Sequence, residues 1–194
     1  MDTARYVVAI LMLVGVAYAI PYWFIVHPFV RFWRRLGMRT TYAILIVISL
    51  VLAVAAFALR DQILTVDYGT SIPLIALAVL CYVAAIAIQL RVKRHLKFRI
   101  LAGAPELESS GKGGTLLQDG IYSHVRHPRY MCFMLGILAI ALFTNYLAMY
   151  VLVPLSAAAL YLVVLLEEKE LRNRFGDDYV RYSERVPRFI PQMR

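Results

Sequence analysis

Cysteine is nearly absent from this chain: Cys81 and Cys132 are the only two. Both lie in apolar runs without CxxC or CxxxC spacing, which argues against a disulfide framework or a zinc cluster and fits small core residues. Histidine is scarce as well, with four. His124 and His127 stand three apart, but a zinc site takes three or four ligands. His27 and His95 lie elsewhere without a matching pattern, so no metal site is expected. Acidic residues are outnumbered, 12 against 21 Lys and Arg, and none accompanies Arg31, Arg34, Arg35 and Arg39 in the loop 27–40. Phosphate-cradling glycine motifs are missing too. The Gly/Ser-rich loop 109–115 has neither a GK[ST] ending nor G-x-G-x-x-G before a helix, and reads as a flexible linker.

What the chain has in quantity is hydrocarbon. Its 61% hydrophobic content exceeds the 45–50% of soluble globular domains, and the apolar residues come in uncharged blocks. Residues 6–26, 40–59 and 68–90 each reach the roughly 20 residues a membrane-crossing helix needs. A fourth block, 130–166, is too long for one span. Thr144 and Asn145 are its best turn, so it reads as a tight helical hairpin whose first helix is short. The expected fold is all-α and integral to the membrane, with about five transmembrane helices. The first block reads as a span rather than a cleaved leader, lacking a basic n-region and a small-residue cleavage site.

The net charge of +9 follows location. Lys and Arg concentrate in 27–40, in 91–129 and in the tail, whereas the connection 60–67 has only Arg60 against Asp61 and Asp67. Lys/Arg excess marks the cytosolic side, which places those three segments inside and the N-terminus outside. The basic residues flank spans and no nucleic-acid-binding motif occurs, so nucleic acid is not the expected partner. The lipid bilayer is. Polar clusters gather after residue 91, which divides the chain into a three-helix scaffold, 1–90, and a catalytic region, 91–194. The scaffold has short connections and carries no buried acid or base in this reading.

Two clusters stand out. In "GIYSHVRHPRYMCFM", residues 120–134, Pro128 suits the first turn of a helix, where its missing N–H costs nothing. Helix-start amides favour an anion, with Arg126 and Arg129 beside them. Snorkelling arginines and an interfacial tyrosine would look the same. In "LLEEKELRNRFG", residues 165–176, Glu167 and Glu168 follow an uncharged span and the helix continues to Gly176, a natural left-handed terminator. They either pair with Arg172 and Arg174 at helical spacing or face the hairpin start, since the hairpin sets 126–130 beside 165–170. The tail "DDYVRYSERVPRFIPQMR" could lie over the site as a lid or rest on lipid headgroups.

Taken together, "GIYSHVRHPRY", the Glu pair some 40 residues on, "FGDDYVRYSERVP" and a late Pro resemble the isoprenylcysteine carboxyl methyltransferase family over about residues 100–191. Sterol reductases and phospholipid N-methyltransferases carry related C-terminal patterns. The resemblance implies a helical membrane enzyme with a cytosolic C-terminal site for S-adenosylmethionine. Carried over by motif, the cofactor contacts are Thr115, Leu116, Leu117, Tyr122, His127, Pro128, Tyr130 and Glu167, and Arg126, Glu167 and Glu168 are the candidate catalytic residues. It also implies a lipid-like methyl acceptor such as a C-terminal prenylated cysteine, with a phospholipid N-methyltransferase and an NADPH-dependent reductase as alternatives. An Arg that handles substrate in eukaryotic members is Val163 here; Arg172 or Arg174 would have to substitute. The short layout points to a prokaryotic-type relative in a cell membrane.

Overall fold

A computed structural model describes residues 1–26, 30–93 and 115–191. His27, His95, the basic run 94–100 and most of the Gly/Ser-rich loop lie outside the described residues. The elements are helices α1 (Asp2–Val26), α2 (Val30–Leu36), α3 (Met38–Ala58), α4 (Arg60–Ile63) and α5 (Ile72–Lys93), a 3-10 turn (Gly120–Ser123), then α6 (Pro128–Thr144), α7 (Leu147–Phe175) and α8 (Asp177–Arg185). No strand occurs among the described residues, only an isolated bridge between Asp67 and Tyr146. Residues 39–58 of α3, α5 and α7 are long and apolar enough to cross a membrane, and α6 is apolar but only 17 residues long. The short connections of the sequence contain helices of their own, α2 in 27–40 and α4 in 60–67.

The hairpin forms where its sequence asks for it. Asn145 takes the left-handed conformation, φ 56°, that ends α6, a conformation Asn tolerates better than most residues. Its side-chain amide donates to the Gly69 carbonyl at 2.9 Å and its carbonyl accepts from Tyr68 N–H at 3.1 Å. Tyr150 donates its hydroxyl to Asn145 Oδ1 at 2.7 Å. The turn between α6 and α7 is thereby fastened to the 66–69 loop. From there α6 packs along α5, α1 and α7, and α7 directs Ser156, Leu160, Val163, Val164 and Glu168 inward. That spacing of three and four is one helix face. It is also why a carboxylate at position 168 enters the protein.

One expectation for the first half fails. Arg5 is fully buried, although it precedes a run that reads as a plain span. Its Nε and Nη2 donate to the Thr144 carbonyl at 2.9 and 2.7 Å, and it pairs with Asp67 and Asp2. An α6 carbonyl left open at the helix end needs such a donor. Arg5→Leu removes the donor and leaves Asp67 without its cation, and should cost on the order of 2 kcal/mol. The exposed pair Arg181–Asp178 is the comparison: Arg181→Ala should change stability by about 0.5 kcal/mol or less. Thermal unfolding of both variants in lipid checks the difference.

Candidate active site

Pro128 opens α6 as the first helical residue and His127 is its N-cap. The backbone N–H groups of Arg126 and His127, two of those that could have faced an anion, donate instead to the carbonyls of Pro187 and Arg188 at 2.9 and 3.1 Å. The tail is therefore stitched across the start of α6. Phe189 packs on the buried group of Tyr130, Leu160, Val163 and Val164, its ring 6.1 Å from that of His127. Of the two positions open to the tail, the structure has the covering one.

Beneath this strap lies Glu168, whose side chain is 3% exposed. Three cationic or polar groups converge on it. Arg188 grips both oxygens, Nε at 3.0 and 3.2 Å and Nη2 at 2.9 Å. His127 Nε2 lies 3.2 Å from Oε1, and Arg126 Nη1 approaches Oε1 at 2.9 Å. A buried carboxylate is tolerable only with partners of this kind. Glu168 pairs with neither Arg172, which is exposed, nor Arg174, which stacks on Phe175 at 5.2 Å. Arg188 takes the place expected of them. Its own pKa is raised by the hydrogen bonds to Glu168, so the pair stays charged.

Glu167, the neighbour in sequence, has a different setting. Its side chain is 27% exposed, with His127 Nδ1 3.8 Å away, and Tyr130 donates its hydroxyl to Oε2 at 2.8 Å. Tyr130 and Glu167 thus sit at the same end of the hairpin, as the sequence reading required. Tyr122 is buried beside them. Burial, then the field of Glu167, pushes its phenol well above the ordinary value, so it stays neutral. Its carbonyl accepts from the Tyr182 hydroxyl at 2.7 Å. Thr115 is exposed and Leu117 half-buried. Leu116 packs with Tyr179, Tyr182 and Val186 of α8 and the strap. His124 is exposed, with Nδ1 3.0 Å from the Ser123 hydroxyl.

The site keeps unused donors. Nε of Arg126 and the hydroxyl of Tyr179 are buried without a hydrogen-bonding acceptor, the Arg126 side chain being 9% exposed and Tyr179 1%, whereas Nη1 of Arg126 is taken up by its ion pair with Glu168. Orphaned donors of this kind are costly unless an acceptor arrives.

Tyr130 also borders a cleft of about 750 Å³. Val8, Met12, Ile86, Phe133 and Leu160 line it, together with Gln89 and Arg129 near the charged end. Leu11 of α1 and Tyr82 of α5, 66% and 54% exposed, line it as well. The volume falls in the 300–1,000 Å³ range of small-molecule sites. Sequence reasoning placed nothing from the first half at the site, yet α1 and α5 form two of the walls. Gly176 ends α7 with φ 55° and ψ −130°, so it is positive in φ without being left-handed helical.

Helices that suit a bilayer, a polar cluster at one end of a hairpin and an apolar cleft running from it define an integral membrane protein with an enzyme-like site. The chain belongs to the phospholipid methyltransferase family, whose model matches residues 73–178, more than half of the sequence. It is 36% identical over 85 residues to the cobalt-zinc-cadmium resistance protein CzcN of Cupriavidus metallidurans, covering 44% of this chain and 39% of that protein. It is 31% identical over 85 residues to the nickel-cobalt-cadmium resistance protein NccN of Alcaligenes xylosoxydans xylosoxydans, 44% of this chain and 40% of that one. Methanethiol S-methyltransferase 1 of Bradyrhizobium diazoefficiens is 32% identical over 74 residues, 38% of this chain and 25% of that enzyme. The chain thus spans two fifths or less of the length of these relatives. No solved structure matches it.

Proposed function

We propose that this protein transfers a methyl group from S-adenosylmethionine to a carboxylate on a lipid-like acceptor such as a prenylated cysteine, at the cytosolic edge of a five-helix membrane domain. The observation that carries the reading is that the partly exposed Glu167 carboxylate, fixed by Tyr130, shares one end of the hairpin with two buried donors that have no acceptor, Arg126 Nε and the Tyr179 hydroxyl. The cofactor has an ammonium, a carboxylate and a sulfonium. Glu167 suits the ammonium or the sulfonium, and Arg126 with Tyr179 suits the carboxylate. The buried residues His127, Pro128 and Tyr122 shape the wall. Glu168 is better assigned to holding Arg126 and Arg188 in place than to the ligand, because its oxygens are already engaged.

The cofactor supplies an electrophilic methyl. Held there, it would give its methyl to an acceptor oxygen as the carbon–sulfur bond broke with its electrons on sulfur. One positive and one negative charge cancel, and no proton moves. A C-terminal carboxylate with a reference pKa of roughly 3.3–3.7 is already ionised near neutrality, so no base is required. The protein's task is alignment, which can supply about 7–11 kcal/mol of barrier reduction.

The cleft favours a large acceptor. A one-carbon thiol, the substrate named for the methanethiol relative, would leave most of it empty. Val163 is buried in the apolar group beside Tyr130 and cannot hold an anionic head. Arg129, at the charged end of the cleft, can. A tail of about fifteen carbons, at about 0.8 kcal/mol per buried CH₂, costs on the order of 10 kcal/mol to draw into water, and lateral passage between α1 and α5 avoids that cost. A phospholipid amine also offers an anionic head and a tail, so the product decides. Purified protein in lipid, given methyl-labelled cofactor and a prenylated cysteine, should yield label that alkali releases as methanol. Label that stays bound in alkali would mean N-methylation. No transfer to either acceptor would overturn the reading.

A further inference from the structure

Two glycines face the cleft, Gly15 from α1 and Gly136 from α6. Glycine weakens a helix relative to alanine, and in membrane helices its usual justification is close approach of a second helix. Neither position has that justification. A Cβ built on Gly15 or on Gly136 meets nothing within 4 Å, and neither φ is positive. What lies over both is the open volume of the cleft.

We infer that Gly15 and Gly136 set how long and how broad a hydrocarbon tail this protein accepts. The inference rests on the reading of the cleft as the acceptor's site. The occupant is the tail of a bilayer-resident amphiphile with an anionic head. Arg129 supplies the complementary charge at one end, and Tyr130 joins the cleft to Glu167. From Arg129 to Ile140, the limits of α6 in the cleft, a helix rises about 16 Å, about half the roughly 30 Å hydrocarbon thickness. Gly136 comes about 10 Å below Arg129 on the same scale. A side chain there would close the deep part and leave the part near Tyr130 open. A short tail would still fit and a long one would not.

The experiment compares wild type, Gly136→Ala, Gly136→Leu and Gly15→Leu in lipid nanodiscs, with cysteine acceptors bearing ten-carbon and fifteen-carbon isoprenyl chains. Gly136→Leu should lower transfer to the longer acceptor about tenfold or more and to the shorter one by less than about threefold. Gly15→Leu should act in the same direction, and Gly136→Ala should lower transfer to the longer acceptor by less than Gly136→Leu does. Equal loss for both tails, or no loss for either, would overturn the inference. A second readout does not need turnover: photolabelling by a carboxylate amphiphile with a diazirine at its tail end, mapped by mass spectrometry. Label should fall on the deep residues near Ile140 in wild type and move toward Phe133 in Gly136→Leu. Unmoved or unsaturable label overturns the inference. If no acceptor is methylated but the label moves, the glycine assignment stands and the proposed reaction falls.

Discussion

Replacing Glu168 by alanine should unfold the C-terminal strap and lower stability by about 3–5 kcal/mol, the cost typical of breaking a buried ion pair from one side. The substitution removes the acceptor for Arg188 and His127 and the counter-charge of Arg126. It leaves buried positive groups with no compensation. Arg188→Ala should be milder. That side chain is one-third exposed, and Glu168 would keep Arg126 and His127. Two measurements check this. Thermal unfolding in lipid gives the ranking, and limited trypsin digestion reports the strap, because Arg188 is held in the wild type but should become cleavable in Glu168→Ala. A Glu168→Ala protein with wild-type stability and an uncut strap would show that the convergence of charges carries no weight.

The adjacent carboxylate should behave in the opposite way. Glu167→Gln keeps the size of the side chain and an oxygen for the Tyr130 hydroxyl, so folding should change by less than about 1 kcal/mol. Methyl transfer should nevertheless fall about 10²- to 10³-fold, equivalent to about 2.7–4 kcal/mol. Losing a charge that meets a desolvated ligand cation costs energy of this size. Tyr130→Phe should lower transfer less, because it frees the carboxylate without neutralising it. Rate measurements at saturating acceptor, with unfolding curves on the same samples, separate the neighbours into one that holds the site together and one that meets the ligand.

Much of this arrangement is legible in the chain because it depends on local chemistry. Pro128 fixes a helix start, Asn145 supplies the left-handed turn, and the apolar block between them and Glu167 dictates the hairpin that brings Tyr130 to Glu167. The choice between the two glutamates was not legible. It depends on which of them the 156–160–163–164 stripe turns inward, and helical spacing to Arg172 and Arg174 suggests a solvated pairing that does not form. Arg188 was missed because an arginine in a tail rich in tyrosine and arginine looks like any headgroup anchor. Its signal is tertiary, two backbone hydrogen bonds that seat the tail on α6. Arg5 escaped for a similar reason, since its acceptor is a carbonyl 139 residues away. The cleft is the least legible feature, because empty space between α1, α5 and α6 leaves no pattern in any one of them.

The most direct test of the central claim is a calorimetric titration of the purified protein in nanodiscs with S-adenosylmethionine, with no acceptor present. The account predicts saturable binding at one site, weakened at least about tenfold by Glu167→Gln and unchanged by Glu184→Gln, which alters an exposed carboxylate on α8. Absence of saturable heat in wild type, or equal affinity in both variants, would contradict it.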